Sequence, residues 1–206
     1  MEPGIICAIT GIDGVGKSTR IIPEIVTRLR NDMILGHIGW RPISVIKAPT
    51  AFMGQAEHML DGMDSPVLRT YIQMADNYLH MNTCLSRSIK GDIVLADRWW
   101  YDAFVYNYIE LSKHIGPTLA DRLIRSMYPS MSVVYPTLNF LCVIDPDIAF
   151  SRKPDYDYEF MKEVDARYRL VGEKLFGMEI VDCTDIDWAI SHIYRAIIGQ
   201  LRERVL

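Results

Sequence analysis

The feature that most constrains this chain is the octapeptide Gly-Ile-Asp-Gly-Val-Gly-Lys-Ser at 11–18. Glycines at 11, 14 and 16 favour neither helix nor strand, so the backbone is free to curl there. The octapeptide fits the phosphate-loop pattern of glycine, four variable residues and Gly-Lys-Ser. Its flanks agree with that pattern. Residues 4–10 form an unbroken apolar run, as in a strand covered on both faces, and after Lys17 the residues Ile21, Ile22, Ile25 and Leu29 recur on one side of a helix. Strand, glycine turn and helix in that order aim successive backbone N–H groups, and the positive end of the helix, at one anion. Gly11, Gly14, Val15 and Gly16 supply the backbone, Lys17 a cation, Ser18 a hydroxyl able to ligand Mg2+, and Thr19 stands beside them.

The same alternation continues along the chain. Short apolar runs at 43–46, 93–96, 140–144 and 179–181 each lead to a polar or turn residue and then to a helical stretch. That is the pattern of a parallel sheet wound with helices, an α/β fold. The spacing predicts a long helix over 65–89, another over 119–127 and a closing amphipathic helix over 187–206. At about 150 residues per domain, a chain of 206 residues is expected to form a single domain over 1–206.

Composition narrows the function classes. No apolar stretch approaches the roughly 18 residues that would cross a bilayer, and residues 1–4 carry no basic side chain, so neither a membrane span nor a secretory signal is expected. Cys7, Cys84, Cys142 and Cys183 are scattered in apolar surroundings with no CxxC pair, which suits reduced thiols in a cytoplasmic protein. A net charge of −4 disfavours binding nucleic acid through an overall field and leaves room for a small anionic ligand. His37, His58, His80, His114 and His192 show no metal-ligand spacing, and Met53, Met59, Met63, Met74 and Met81 read as packing residues.

A second chemical feature is Asp97-Arg98, which ends the run at 93–96. Ligands of wound α/β sheets bind at the carboxyl ends of the strands. An acid there can hold Mg2+ through water, and a guanidinium beside it can clamp a phosphate with two parallel hydrogen bonds.

With these motifs the sequence resembles the thymidylate kinase family of phosphate-loop nucleoside monophosphate kinases over nearly its whole length. The family loop carries an Asp where this chain has Asp13, and its second strand leads to a basic residue and proline, resembled by Lys47 and Pro49. Its Asp-Arg-Tyr segment aligns with Asp97 to Asn107, its late strand and Asp-Pro turn with Val143 to Lys153, and its next helix with 159–168. The resemblance implies a three-layer phosphate-loop NTPase fold with strand order 2-3-1-4-5 and a short lid around 152–158. It further implies ATP and Mg2+, a small nucleotide acceptor, and a homodimer through the helices that flank the sheet.

By the same resemblance Lys17, Ser18 and the loop hold the donor, with Thr184 on that side too. Ser18 and Asp97 hold the metal, Asp13 faces the acceptor or the metal, Arg98 grips the acceptor phosphate, Tyr106 packs on the sugar, and Arg152 with Lys153 neutralises the transferring group. The departures fall on the base. Where the family has a stacking Phe and a base-reading Arg, this chain has Gln73 and Asn77, and the family Ser is replaced by Asp102. Asn107 replaces a family glutamine and changes the pocket wall on a second side. The pocket is therefore not committed to thymine, and Trp99 or Trp100 is a candidate for the lost stacking surface, with packing in the core the equal alternative for either. The expected reaction is γ-phosphoryl transfer from ATP to a deoxynucleoside monophosphate, thymidylate or a related pyrimidine. Alternatives are a kinase for a nucleoside 5′-hydroxyl or a hydroxymethylated base, with Asp102 as base, and a nucleotide-binding protein without turnover.

Overall fold

The computed structural model describes residues 3–53, 56, 65–127 and 134–203, without the side chains of 173–176. His58, Met59, Met63 and the last turn expected over 204–206 lie outside the described residues. Five strands, β1 (Ile5–Thr10), β2 (Ile43–Lys47), β3 (Ile93–Asp97), β4 (Leu138–Val143) and β5 (Glu179–Asp182), form an all-parallel sheet in the order β2-β3-β1-β4-β5. Burial explains the order. The most continuously apolar runs become the fully buried central strands β1 and β3, whereas β2 and β5 leave Val45 and Ile180 exposed at the edges.

Helices α1 (Ile22–Ile34), α2 (Pro66–Ile89), α3 (Trp100–Ile115), α4 (Pro117–Met127), α5 (Pro146–Arg152), α6 (Tyr158–Phe176) and α7 (Ile186–Glu203) flank the sheet. α1 packs on α7, and α2, α3, α4 and α6 form a second group centred on α3. Ile22, Ile25, Leu29 and Met33 put one stripe of α1 into the core, at about 1.5–3 kcal/mol for each fully buried aliphatic side chain. The stripe predicted from Lys17 onward holds, but its first turn, Lys17–Ile21, is a π-helical turn. The helix predicted over 119–127 starts earlier, because Pro117 suits a first helical position, and the strand expected at 140–144 begins at Leu138 despite polar Asn139.

Helix starts are fixed locally. Ser65 accepts a hydrogen bond from the Leu68 backbone N–H at the start of α2, Asp145 from Asp147 at α5, and Asp157 from Phe160 at α6. Parallel pairing sets Ile9 of β1 opposite Asp97 of β3, and Lys47 of β2 opposite the same Asp97. The carboxyl ends of the first three strands therefore open onto one crevice. Among the described residues no helix is long and apolar enough to cross a membrane.

Candidate functional site

The loop after β1 is a cradle made of backbone. Gly14 and Gly16 have φ of +85° and +96°, which L side chains rarely adopt. A Cβ at Gly14 would lie 2.2 Å from the Ala149 carbonyl oxygen of α5, and one at Gly11 would lie 2.2 Å from that of Cys142 on β4. The glycines thus let the loop press against β4 and α5. Val15 buries its side chain in the core, so only its backbone belongs to the cradle. No side chain caps the helix start at Gly16, which leaves its first N–H groups for a ligand.

Lys17 is buried behind this loop. Its Nζ donates to the carbonyl oxygens of Gly11 and Ile12 at 2.7 and 2.9 Å. Burial, and next the charge of Arg98, push its pKa down to about 8, against the pull of Asp102, Asp13 and Asp97. A phosphate against the loop would supply the negative charge that this ammonium lacks. Gly14, Gly16, Thr19, Arg152 and Ile186 help to line a cavity of about 510 Å3 here.

A second cavity, of about 370 Å3, adjoins the first, and the two share Asp13, Lys17, Ser18, Lys47 and Lys153 as common walls. Gln73, Asp76 and Asn77 of α2 form one side of the second cavity, and Asp102, Tyr106 and Asn107 of α3 another. Arg98, Pro49, Met53 and Tyr156 complete it. Most of the acceptor-side residues named from sequence therefore converge, although they come from four separate segments.

At the junction the Ser18 hydroxyl donates to Asp97 Oδ2, while Asp97 Oδ1 is buried with no hydrogen-bond partner. Among the described residues no group of three or more His, Cys, Asp or Glu side chains could hold a metal ion. Mg2+ does not need such a cage, since it keeps several waters and binds through one or two carboxylates and substrate phosphates. The orphaned carboxylate oxygen beside a serine hydroxyl fits that habit.

Arg98 has φ of +81°, the one non-glycine residue with positive φ among those described. Such a backbone costs on the order of 1–2 kcal/mol and marks a functional position more often than a random one. Its guanidinium forks, with Nη1 donating to Asp102 Oδ2 at 3.0 Å and Nη2 donating to Asp13 Oδ1. Asp13 Oδ2 lies 3.6 Å from the Nζ of Lys153, just after α5. Burial pushes the Asp13 carboxyl up, but the charges of Arg98, Lys17 and Lys153 outweigh it and hold the group below its usual range. For Asp102 burial wins over Arg98, Tyr168 and Lys17, and the pKa is raised.

Some sequence candidates stand apart from both cavities. Trp99 is fully buried, edge-on to His80 at 5.7 Å, and neither it nor the nearly buried Trp100 lines the cleft. Thr184 is engaged by its backbone N–H with Asp182, and it is Ile186 that reaches the first cavity. Conversely, sequence inspection passed over Asp76, whose buried carboxylate accepts from the Thr50 backbone N–H at 2.9 Å and from the Thr50 hydroxyl, tying the turn after β2 to α2. A polar residue inside an otherwise apolar helical stripe was the available signal for Asp76. Lys153, paired with Arg152 on the sequence, lines both cavities, and Asn107, read from the sequence as part of the pocket wall, lines the second with a buried Nδ2 that has no partner.

No protein-family model matches the chain. The chain is 26% identical over 185 residues, 78% of each sequence, to a protein of Escherichia coli (strain K12) described as "Uncharacterized ATP-binding protein YghS". Sheet order, glycine loop and this similarity are together consistent with a phosphate-loop NTPase fold.

Proposed function

We propose that this protein is an ATP-dependent kinase that transfers the γ-phosphoryl group to a deoxynucleoside monophosphate, thymidylate or a related pyrimidine. The observation that carries the reading is the pair of adjoining cavities, one under the phosphate loop and one walled by Arg98, with Lys17 and Ser18 at the seam. A transferase that moves a phosphoryl group between two bound molecules needs that arrangement, because positioning and charge stabilisation account for nearly all of its catalysis. The E. coli relative described as ATP-binding supports the choice of donor.

In this reading the loop backbone and Lys17 hold the donor phosphates, and Arg152 and Lys153 cover them from the lid side. Ser18 and Asp97 would hold Mg2+ directly or through water, and the ion would supply neutralisation of phosphate charge. Arg98 grips the acceptor phosphate, Asp13 and Lys47 stand at the seam, and Tyr106 faces the sugar. Pro49 offers an apolar wall to the base, while Gln73 and Asn77 offer amides. The acceptor phosphate attacks in line and ADP leaves, with no covalent bond to the enzyme.

A hydroxyl acceptor would need a free general base. Asp102 accepts from Arg98 with one oxygen and from the Tyr168 hydroxyl with the other, which favours the monophosphate over the nucleoside. The test is ADP release with ATP and a panel of nucleosides and nucleoside monophosphates. Turnover with pyrimidine deoxynucleoside monophosphates is expected. Preference for free nucleosides would overturn the acceptor class, and no turnover with any of them, despite ATP binding, would favour a non-catalytic nucleotide-binding protein.

A further inference from the structure

One buried side chain near the cleft lines neither cavity yet bears on what Arg98 can do. Tyr168, on α6, is 1% exposed, and its hydroxyl donates to Asp102 Oδ1. The other oxygen of Asp102 takes Arg98 Nη1, so a buried chain of contacts runs from α6 through α3 to the end of β3. On its far edge Arg98 is held by Asp13 of the loop. The guanidinium is thus clamped at both edges by carboxylates, and the Tyr106 ring lies 5.7 Å from its carbon. A guanidinium has five N–H donors in a rigid plane, so clamping its edges fixes where the remaining donors point.

We propose that Asp102 and Tyr168 are positioning residues that set the plane of Arg98 so that its free N–H groups meet the acceptor phosphate. The assignment rests on the monophosphate reading for the identity of what Arg98 grips, but the positioning itself is a property of the chain. Three observations converge on it. Arg98 leaves β3 with a left-handed backbone, so its direction is not inherited from the strand and must be imposed by partners. Asp102 is 7% exposed with both oxygens engaged, which fits a fixed anchor rather than a proton acceptor for substrate. Tyr168 belongs to the helix that follows the lid, so its hydroxyl locks Asp102 from an element that neither carries the loop nor reads the base.

Tyr168→Phe removes one oxygen and keeps the ring, and Asp102→Asn keeps the shape and removes the charge. The first measurement is the NMR signal of the Arg98 Nε–H group, assigned by its loss in Arg98→Lys. In the unsubstituted protein a slowly exchanging, ordered signal is expected, and in Tyr168→Phe hydrogen exchange should quicken by about tenfold, the scale for loss of one hydrogen bond. The second is steady-state kinetics with ATP and dTMP, where KM for dTMP should rise about tenfold while KM for ATP stays within about twofold. If Tyr168→Phe fails to fold, Asp102→Asn carries the same measurements. Unchanged Arg98 exchange in the folded variant overturns the proposal, as does a parallel rise of KM for both substrates. If Arg98→Ala leaves KM for dTMP unchanged, the monophosphate reading fails instead, and the exchange measurement still decides whether Tyr168 positions Arg98.

Discussion

The two halves of the cleft are built from different material. The half under the glycine loop, the donor side in the proposed reading, is mostly main chain: glycine turns, an uncapped helix start and a lysine folded back on two carbonyls. The other half, the acceptor side in that reading, is mostly side chain, collected from the turn after β2, from α2, from α3 and from the segment after α5. Backbone geometry at a glycine loop tolerates few residue types, whereas a side-chain wall can exchange one polar group for another and keep its shape. The donor half is therefore expected to be all-or-none toward substitution, and the acceptor half adjustable.

Removing Lys17 should produce the largest effect. Lys17→Met is expected to lower turnover by at least about 10³, the scale for deleting a preorganised charge that faces a transferring phosphoryl group. Stability should move the other way. The folded pKa of about 8 lies below the ordinary value of 10.5, so the unfolded chain binds more protons between those pH values. Stability of the unsubstituted protein therefore rises with pH through that window, and below pH 8 the full cost of a buried charge is present. Loss of two hydrogen bonds offsets part of that cost, so the variant should be as stable or about 1–3 kcal/mol more stable at pH 7, with a flatter profile from pH 8 to 10. Denaturant unfolding at pH 7 and 9.5 checks this. A variant that is less stable at pH 7 would mean that Lys17 holds the loop together in the absence of phosphate.

The same division explains what could be read from the sequence. Five apolar runs and the octapeptide at 11–18 were enough for the sheet and the donor loop, because burial on both faces and a turn with positive φ each demand few residue types. Arg98 and Asp97 were visible as polar residues at a strand end. The clamp on Arg98 was not, since Tyr168 sits among Met161, Val164 and Val171 at helical spacing and looks like core until its hydroxyl is seen to meet Asp102. Trp99 shows the converse, an aromatic whose place next to Arg98 in sequence left cleft and core both open, and whose ring is buried edge-on to His80 in the core.

Arg98→Ala comes next in size, and it separates the halves most directly. A cost of about 2–4 kcal/mol in kcat/KM for the acceptor is expected for a buried charge-assisted contact, with equilibrium ATP binding nearly unchanged. Calorimetric titration with ATP alongside acceptor kinetics measures both. Weakening of ATP and acceptor together would show that the two halves are not independent.

Base choice should respond more gently. Asn77 Nδ2 donates to the Gln73 carbonyl at 2.8 Å, which leaves its side-chain oxygen to accept from an N–H on the base edge. Uracil and thymine offer N3–H, and cytosine offers its exocyclic amino group. We expect dUMP, a 5-substituted dUMP or dCMP to be used within about tenfold of dTMP, a difference of about 1.4 kcal/mol. The double variant Gln73→Phe, Asn77→Arg should move preference toward dTMP by about the same factor. A preference above about a hundredfold in the unsubstituted chain would mean that other side chains read the base.

The smallest effect is expected behind the acceptor wall, at His80. The ring is fully buried against Trp99, Nε2 lies 3.3 Å from the Ile46 carbonyl oxygen, and Nδ1 has no partner. Burial lowers its pKa below the ordinary 6.5, despite the opposite pull of the Ile46 carbonyl, Asp76 and Asp97. A proton on Nδ1 would add a buried charge with an unsatisfied donor. Below pH 6.5 the unfolded chain takes up a proton that the folded chain resists, so stability falls as pH drops from there toward the folded pKa. The slope is at most about 1.4 kcal/mol per pH unit. His80→Gln keeps a polar group in the site and removes the titration. Whatever its absolute stability, the slope of unfolding free energy between pH 6.5 and 5.5 should be shallower than in the unsubstituted protein, because every other titrating group is common to both. Equal slopes would mean that His80 is protonated as readily in the folded chain as in the unfolded one, and the side-chain wall would then lack the acid sensitivity that sets it apart from the alkaline sensitivity of Lys17.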